Sequence, residues 1–227
     1  MKLTYYGHSA FQLECAGATL LFDPFLTGNK HAEGVVAPEA LSPEVILLTH
    51  AHGDHWGDTM AIAKRCDALV VANFEITSYV QAQGHGKVFS LNTGGSWNFD
   101  WGRVELTYAR HSSSFPDGTY GGNPNGYLIF ADGLCVYNAG DTAPFSEMAW
   151  IGENYAVDAM LLPVGDCFTM GIQGSVRAAR MVGAKVNIPL HYNTFPPIEM
   201  DIGSWLSAMD AANLPARALE AGHSLTL

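Results

Sequence analysis

The chain is poor in charge, and poorer still in positive charge. Only 15% of its 227 residues are charged, and 11 lysines and arginines face 22 acidic residues for a formal net of −11. A protein that grips a polyanion normally presents a basic face, so neither nucleic acid nor a membrane surface is an expected partner. No apolar run approaches the ~18 residues of a membrane span; Val45 to Leu48 is typical of the short runs present. The first residues, Met1-Lys2-Leu3-Thr4-Tyr5-Tyr6, alternate like a strand and lack the apolar block and cleavage site of a signal peptide. A cytoplasmic location is therefore expected. The four cysteines, Cys15, Cys66, Cys135 and Cys167, form no C-x-x-C pair, which removes zinc-ribbon and dithiol readings and predicts reduced, buried thiols. A surface this sparse in charge is compatible with a buried subunit interface, and a homo-oligomer is the expectation.

What is abundant is apolar: 48% of residues, enough for a sizeable core. Short strand signals fill the first half, at Lys2–Tyr6, Phe11–Cys15 and Thr19–Phe22, the last ended by Asp23-Pro24. A Gly- and Pro-containing loop, roughly Thr27 to Pro43, leads to Val45–Thr49, a continuous apolar run of the kind buried on both faces. Asp58–Arg65 and Phe74–Gln83 read as helices around a strand at Ala68–Val71. Strands follow at Val88–Leu91, Ser96–Phe99 and Val104–Ala109, then a loop from His111 to Asn125 dense in Ser, Gly, Pro and Asn. Tyr127–Ala131 and Leu134–Asn138 form a predicted hairpin across Asp132-Gly133. Strands at Ala159–Pro163 and Val186–Leu190 alternate with helices at Gly171–Met181 and Ile202–Ala212. No linker interrupts the pattern, so residues 1–227 are expected to form one α/β domain of two strand-rich halves with helices outside.

The strongest chemical signal is His50-x-His52-x-Asp54-His55, directly after the buried run. Imidazole and carboxylate suit a borderline divalent metal such as zinc, manganese or iron(II). His50 and His52 are two apart, so in extended chain they leave one face and suit one ion. Asp54 and His55 follow where the chain turns and suit a neighbouring position. A lone histidine after a strand is ordinarily a solvated loop residue, but three with an aspartate in six positions would bring polar groups together with nothing to offset their desolvation. One loop does not close two metal shells. His111, Asp141 in Gly140-Asp141-Thr142, and His191 also follow strand signals and are the remaining candidates.

In this order, these motifs resemble the ligand set of the metallo-β-lactamase superfamily. Gly7-His8-Ser9-Ala10-Phe11, Phe22-Asp23-Pro24-Phe25, Phe168-Thr169-Met170-Gly171 and His191-Tyr192-Asn193-Thr194-Phe195-Pro196 resemble a narrower branch, the metal-dependent hydrolases similar to the L-ascorbate-6-phosphate lactonase. The resemblance implies a four-layer αββα sandwich with a metal site at one edge of two packed sheets. It implies His50, His52 and His111 on one ion, Asp54, His55 and His191 on the other, and Asp141 bridging both. It also implies that Asp23 supports a ligand histidine and that His8 is a pocket residue, binding substrate or carrying a proton. Tyr192 and Asn193 adjoin a ligand and are expected to touch substrate or fix His191. Phe168 and Met170 are expected to wall the pocket or pack in the core.

The expected activity is hydrolysis of a small ester, lactone, phosphoester or phosphodiester by hydroxide held on a dinuclear metal centre, with Asp54 orienting the nucleophile. Two alternatives stand beside it on the same scaffold: a di-iron redox enzyme and a non-catalytic metal-dependent sensor. His31, His85 and His223 have no ligand-like neighbours and read as solvated or locally hydrogen-bonded. Trp56 is expected to pack under the ligand loop and Asp117 to serve a turn.

Overall fold

The computed structural model describes residues 1–227. Its first half contains strands β1 (Lys2–Gly7), β2 (Ala10–Cys15), β3 (Ala18–Phe22) and β4 (Val45–Leu47), then the single-turn helix α1 (Gly53–Trp56). Helix α2 (Thr59–Cys66), β5 (Leu69–Asn73), α3 (Phe74–Ala82), β6 (Val88–Leu91), β7 (Ser96–Phe99) and β8 (Gly102–Tyr108) follow. The second half runs β9 (Asn125–Ala131), β10 (Leu134–Asn138), α4 (Glu147–Asn154), β11 (Ala159–Pro163), α5 (Ile172–Val182), β12 (Val186–Leu190), α6 (Ile202–Ala211) and β13 (Ser224–Thr226).

The strands form two sheets, of order β13-β1-β2-β3-β4-β5-β6 and β12-β11-β10-β9-β8-β7. In the first, β3 to β6 are parallel, with Ile46 opposite both Leu21 and Val70. That arrangement buries β4 on both faces, which explains its unbroken apolar run. Alternation then sorts side chains into layers. Leu13, Leu20, Phe22, Val45 and Leu47 of the first sheet meet Leu106, Tyr127, Ile129 and Leu161 of the second in one central cluster. Leu21, Ile46 and Val70 point the other way, onto Ile62 of α2 and Ile76 and Val80 of α3. Leu128, Tyr137 and Met160 likewise pack on Met148 of α4, Val176 of α5 and Trp205 of α6. The result is helix, sheet, sheet, helix, the layering expected of the αββα sandwich.

Differences from the sequence reading have local causes. Helix α4 is absent from it because Gly152 breaks the helical pattern; a Cβ there would stand 2.3 Å from the Met181 carbonyl oxygen, so glycine permits the close approach of α4 to α5. The edge strand β13 is three residues long and pairs antiparallel with Lys2–Thr4. Cys15 and Cys135 are buried, but Cys66 is half-buried and Cys167 exposed, which corrects the expectation of four buried thiols. No helix is long and apolar enough to cross a membrane.

Candidate metal centre

Six strands end at one edge of the sandwich, and each is followed by a polar side chain of the site. From the first sheet β1 leads to His8, β3 to Asp23 and β4 to the His50–His55 segment. From the second β8 leads to His111, β10 to Asp141 and β12 to His191. Helix α1 supplies the turn between His52 and His55: the His52 carbonyl accepts the amides of His55 at 3.0 Å and Trp56 at 2.8 Å. Trp56 then packs edge-on against Phe115 and Tyr79. Gly140 takes φ +62°, and a Cβ there would meet the Asn125 carbonyl oxygen at 2.6 Å, so glycine is needed to bring Asp141 in.

The donors fall into groups. Those of His50, His52 and His111 lie within 4.8 Å of one another, as do those of His8, Asp54, His55 and His191, and those of His50, His55 and Asp141. His50 Nε2 is 3.0 Å from His52 Nδ1. Asp141 Oδ2 is 3.0 Å from His191 Nε2, 3.3 Å from His55 Nε2, 3.7 Å from His111 Nε2 and 4.0 Å from His50 Nε2. All seven ligand candidates thus converge, although they come from four separate segments.

Asp23, buried beneath the group, sets how two of the rings face. Its Oδ1 accepts the Thr49 amide at 2.8 Å; its Oδ2 accepts the Thr49 hydroxyl at 2.7 Å and His55 Nδ1–H at 2.9 Å. Because the Thr49 proton goes to Asp23, the Thr49 oxygen accepts from His50 Nδ1 at 3.0 Å. Nδ1 of both rings is thereby engaged on the outer side, which leaves each Nε2 facing into the site, the orientation a metal-binding imidazole needs. His55 Nε2 is buried with no hydrogen-bond partner. Donors ~2.0–2.1 Å from one cation stand about 3.0–3.4 Å apart in octahedral or tetrahedral arrangements, the spacing of the closest pairs here. The residue set fits divalent cations.

The family described as "Beta-lactamase superfamily domain" matches residues 2–191. The chain belongs to the metallo-β-lactamase superfamily. Within it, the chain is 53% identical over 228 residues to a UPF0173 metal-dependent hydrolase of Salinibacter ruber, covering all of both chains. It is 46% identical over 231 residues to one of Geobacillus thermodenitrificans, again covering all of both chains. Among solved structures it is similar to Igni18, a metallo hydrolase of Ignicoccus hospitalis, at 37% identity and TM-score 0.91 over 100% of this chain and 97% of that one. These relatives place the chain among the UPF0173 metal-dependent hydrolases of the superfamily.

Electrostatics divides the superfamily site in two. Burial, reinforced by His55, holds the protonation of His50 and His52 below the ordinary histidine range; burial does the same to His111 despite the Asp141 carboxylate. Burial also pushes His55 and His191 down, but Asp141 together with Asp23 raises His55 well above the usual value, and Asp141 with Asp54 raises His191 to about 9. Asp54 and Asp141 stay ionised: burial favours their neutral forms, but the neighbouring histidines overcome it and hold both well below the usual carboxylate range. His8, Asp23 and His191 also take left-handed backbone, with φ of 57°, 41° and 55°. Each costs on the order of 1–3 kcal/mol, a strain typical of functional sites.

The other singled-out residues divide. His8 is fully buried, with Nε2 3.1 Å from Asp54 Oδ2 and Nδ1 2.8 Å from Thr194 Oγ1, so its ring has no face toward solvent. Asn193 shapes the His191 loop: its Oδ1 accepts the Met200 amide at 2.6 Å, and its carbonyl accepts from His31 at 3.0 Å. Tyr192 is buried in the outer core of the second sheet, and so is Met170, which therefore packs in the core. Phe168 is 54% exposed. His85 bonds the Ala68 carbonyl, His223 is solvent-exposed beside Glu220, and Asp117 accepts the Thr119 amide of its own turn. Thr49 and Thr194 contact ring nitrogens of His50 and His8, roles that the sequence reading did not assign to them. Ser113 adds a tie, accepting the Ala51 amide at 3.2 Å and donating to the Gly121 carbonyl at 3.0 Å, which joins the His111 loop to the ligand loop.

Proposed function

We propose that this metal-dependent hydrolase cleaves a small ester, lactone, phosphoester or phosphodiester at a centre of two divalent cations. The observation that carries the reading is the position of Asp141 Oδ2, a buried oxygen within 4.0 Å of ring nitrogens from His50, His55, His111 and His191. In this assignment His50, His52 and His111 would hold one cation and Asp54, His55 and His191 the other, with Asp141 placed within reach of both sets. Bound, the two ions lower the pKa of water toward neutrality and offset the charge that grows on the attacked carbonyl or phosphoryl oxygen.

The chain does the rest. His52, Asp54 and His111 are the part-exposed members of the set, so substrate approaches on their side. Asp54, held ionised, is placed to accept a hydrogen bond from the attacking water and so orient it. Asp23 and Thr49 keep the rings of His50 and His55 from rotating out of register. Two divalent ions also move the formal charge from −11 to −11+4 = −7, and the local field at the site then favours an anionic or polarised substrate despite the acidic surface. The substrate in this reading is a small molecule rather than nucleic acid.

The test is a panel of small lactones, esters and phosphodiesters assayed with protein loaded with zinc, manganese or iron. The reading expects turnover of at least one class that is lost on chelation and restored by metal. A loaded protein that turns over nothing in the panel contradicts it. Iron as the resident metal together with a visible chromophore and substrate oxidation would move the assignment to redox chemistry.

A further inference from the structure

His8 has a different environment from that of a proton carrier. Its ring is fully buried, flanked edge-on by Phe25 and Phe195 with centroids at 5.6 and 5.5 Å, and tilted against His191 at 4.1 Å. The main chain ties the same pair together, the His191 amide donating to the His8 carbonyl at 2.9 Å. On one side Nδ1 meets Thr194 Oγ1 at 2.8 Å; the Thr194 hydroxyl turns its own proton to the Tyr192 carbonyl at 3.4 Å. The Thr194 oxygen is then the acceptor, the proton sits on Nδ1, and Nε2 bears a lone pair. That lone pair faces Asp54 Oδ2 at 3.1 Å, an atom that itself only accepts. His191 Nε2 approaches the same oxygen at 3.5 Å. The ring nitrogens of His8 and His191 and the Asp54 carboxylate thus converge at the spacing shared by neighbouring donors on one ion, and with His55 their donor atoms all lie within 4.8 Å of one another.

We propose that His8 is a protein ligand of the second cation, completing a set with Asp54, His55 and His191. This rests on the two-cation reading above and deepens it. With Asp141, the second ion then has five protein donors, whereas the first has His50, His52, His111 and Asp141. The second ion is then the one with more protein donors, and the first, whose ligands His52 and His111 are part-exposed, is the one open to substrate.

The experiment is stepwise zinc titration of metal-stripped protein against a chromophoric chelator, for wild type, His8→Ala and His8→Gln, with metal content after dialysis as a second readout. Glutamine can offer Asp54 a hydrogen bond but is a poor zinc ligand. Loss of supporting residues around a ligand costs ~10–100-fold in metal affinity. Loss of the donor itself is expected to weaken one of the two zinc steps by about 100-fold or more in both variants, with the other step unchanged. His8→Gln that keeps both steps within about threefold of wild type overturns the proposal and leaves His8 a hydrogen-bond partner, with the two-cation reading intact. A wild type that binds a single zinc overturns both readings together. If the variants do not fold, the zinc-loaded wild-type crystal structure decides: His8 Nε2 belongs ~2.0–2.1 Å from the ion, and a separation above about 3 Å refutes the assignment.

Discussion

Replacing Asp23 with asparagine changes one atom and tests whether the buried carboxylate governs the ligand rings. Three donors converge on its two oxygens: the Thr49 amide, the Thr49 hydroxyl and His55 Nδ1–H, at 2.7 to 2.9 Å. Asparagine has one acceptor oxygen. With that oxygen toward His55, its NH₂ confronts the Thr49 amide and a buried donor goes unpaired, at a cost of ~1–3 kcal/mol. Flipped, the NH₂ confronts His55 Nδ1 and drives the ring proton to Nε2, the nitrogen that faces Asp141. Either outcome weakens the His55 donor, and the expected loss in zinc affinity is ~10–100-fold, with a smaller effect at His50, reached through Thr49. The assay is zinc competition against a chelator, alongside thermal unfolding of the metal-stripped protein. An Asp23→Asn variant with affinity within about threefold of wild type would show that the Asp23–Thr49 network does not hold the rings.

Other perturbations separate site from scaffold. His52→Ala and Asp141→Asn should each abolish hydrolysis and lower metal content while circular dichroism stays native; retained turnover in either breaks the ligand assignment. Binding should depend on pH at one group and not at the other. His191, held at about 9 without metal, is protonated at neutral pH, so its ion must displace that proton. Affinity at that group should rise by about tenfold per pH unit for each proton displaced, levelling off near pH 9. His50, His52 and His111 are held below the ordinary histidine value and release none, so the first group should be flat above neutrality. Calorimetry in two buffers of different ionisation enthalpy reads the difference, and equal proton release at both groups contradicts it. Tyr127→Phe removes the hydroxyl that donates to the Leu48 and Val71 carbonyls at 2.8 and 3.0 Å. It should cost ~1–3 kcal/mol of stability and leave metal content unchanged.

What was readable in the amino-acid order depended on how local the physics was. The His50–His55 cluster stood out because four donors after a buried apolar run have no economical alternative in water or core. His111, Asp141 and His191 were accessible because strands ending at one edge carry their next residues to one place. The roles of Thr49 and of Thr194, although the latter stands in the motif that begins at His191, are not legible: a hydroxyl's meaning arises only when Asp23 or His8, distant in sequence, is folded against it. Left-handed backbone at His8, Asp23 and His191 is likewise invisible, since histidine and aspartate carry no conformational signature of the kind glycine does. Met170 was ambiguous between pocket and core because a glycine-flanked apolar residue fits both, and only the packing of the second sheet decides. Helix α4 was hidden by Gly152, which helical propensity penalises and helix–helix contact requires.

The central claim is that the converging side chains hold two cations. Anomalous diffraction from zinc-loaded crystals, recorded above and below the zinc edge, tests it most directly. The account predicts two peaks, one among His50 Nε2, His52 Nδ1 and His111, the other among Asp54, His55 and His191, with Asp141 touching both. A single peak, or density away from these donors, would contradict it.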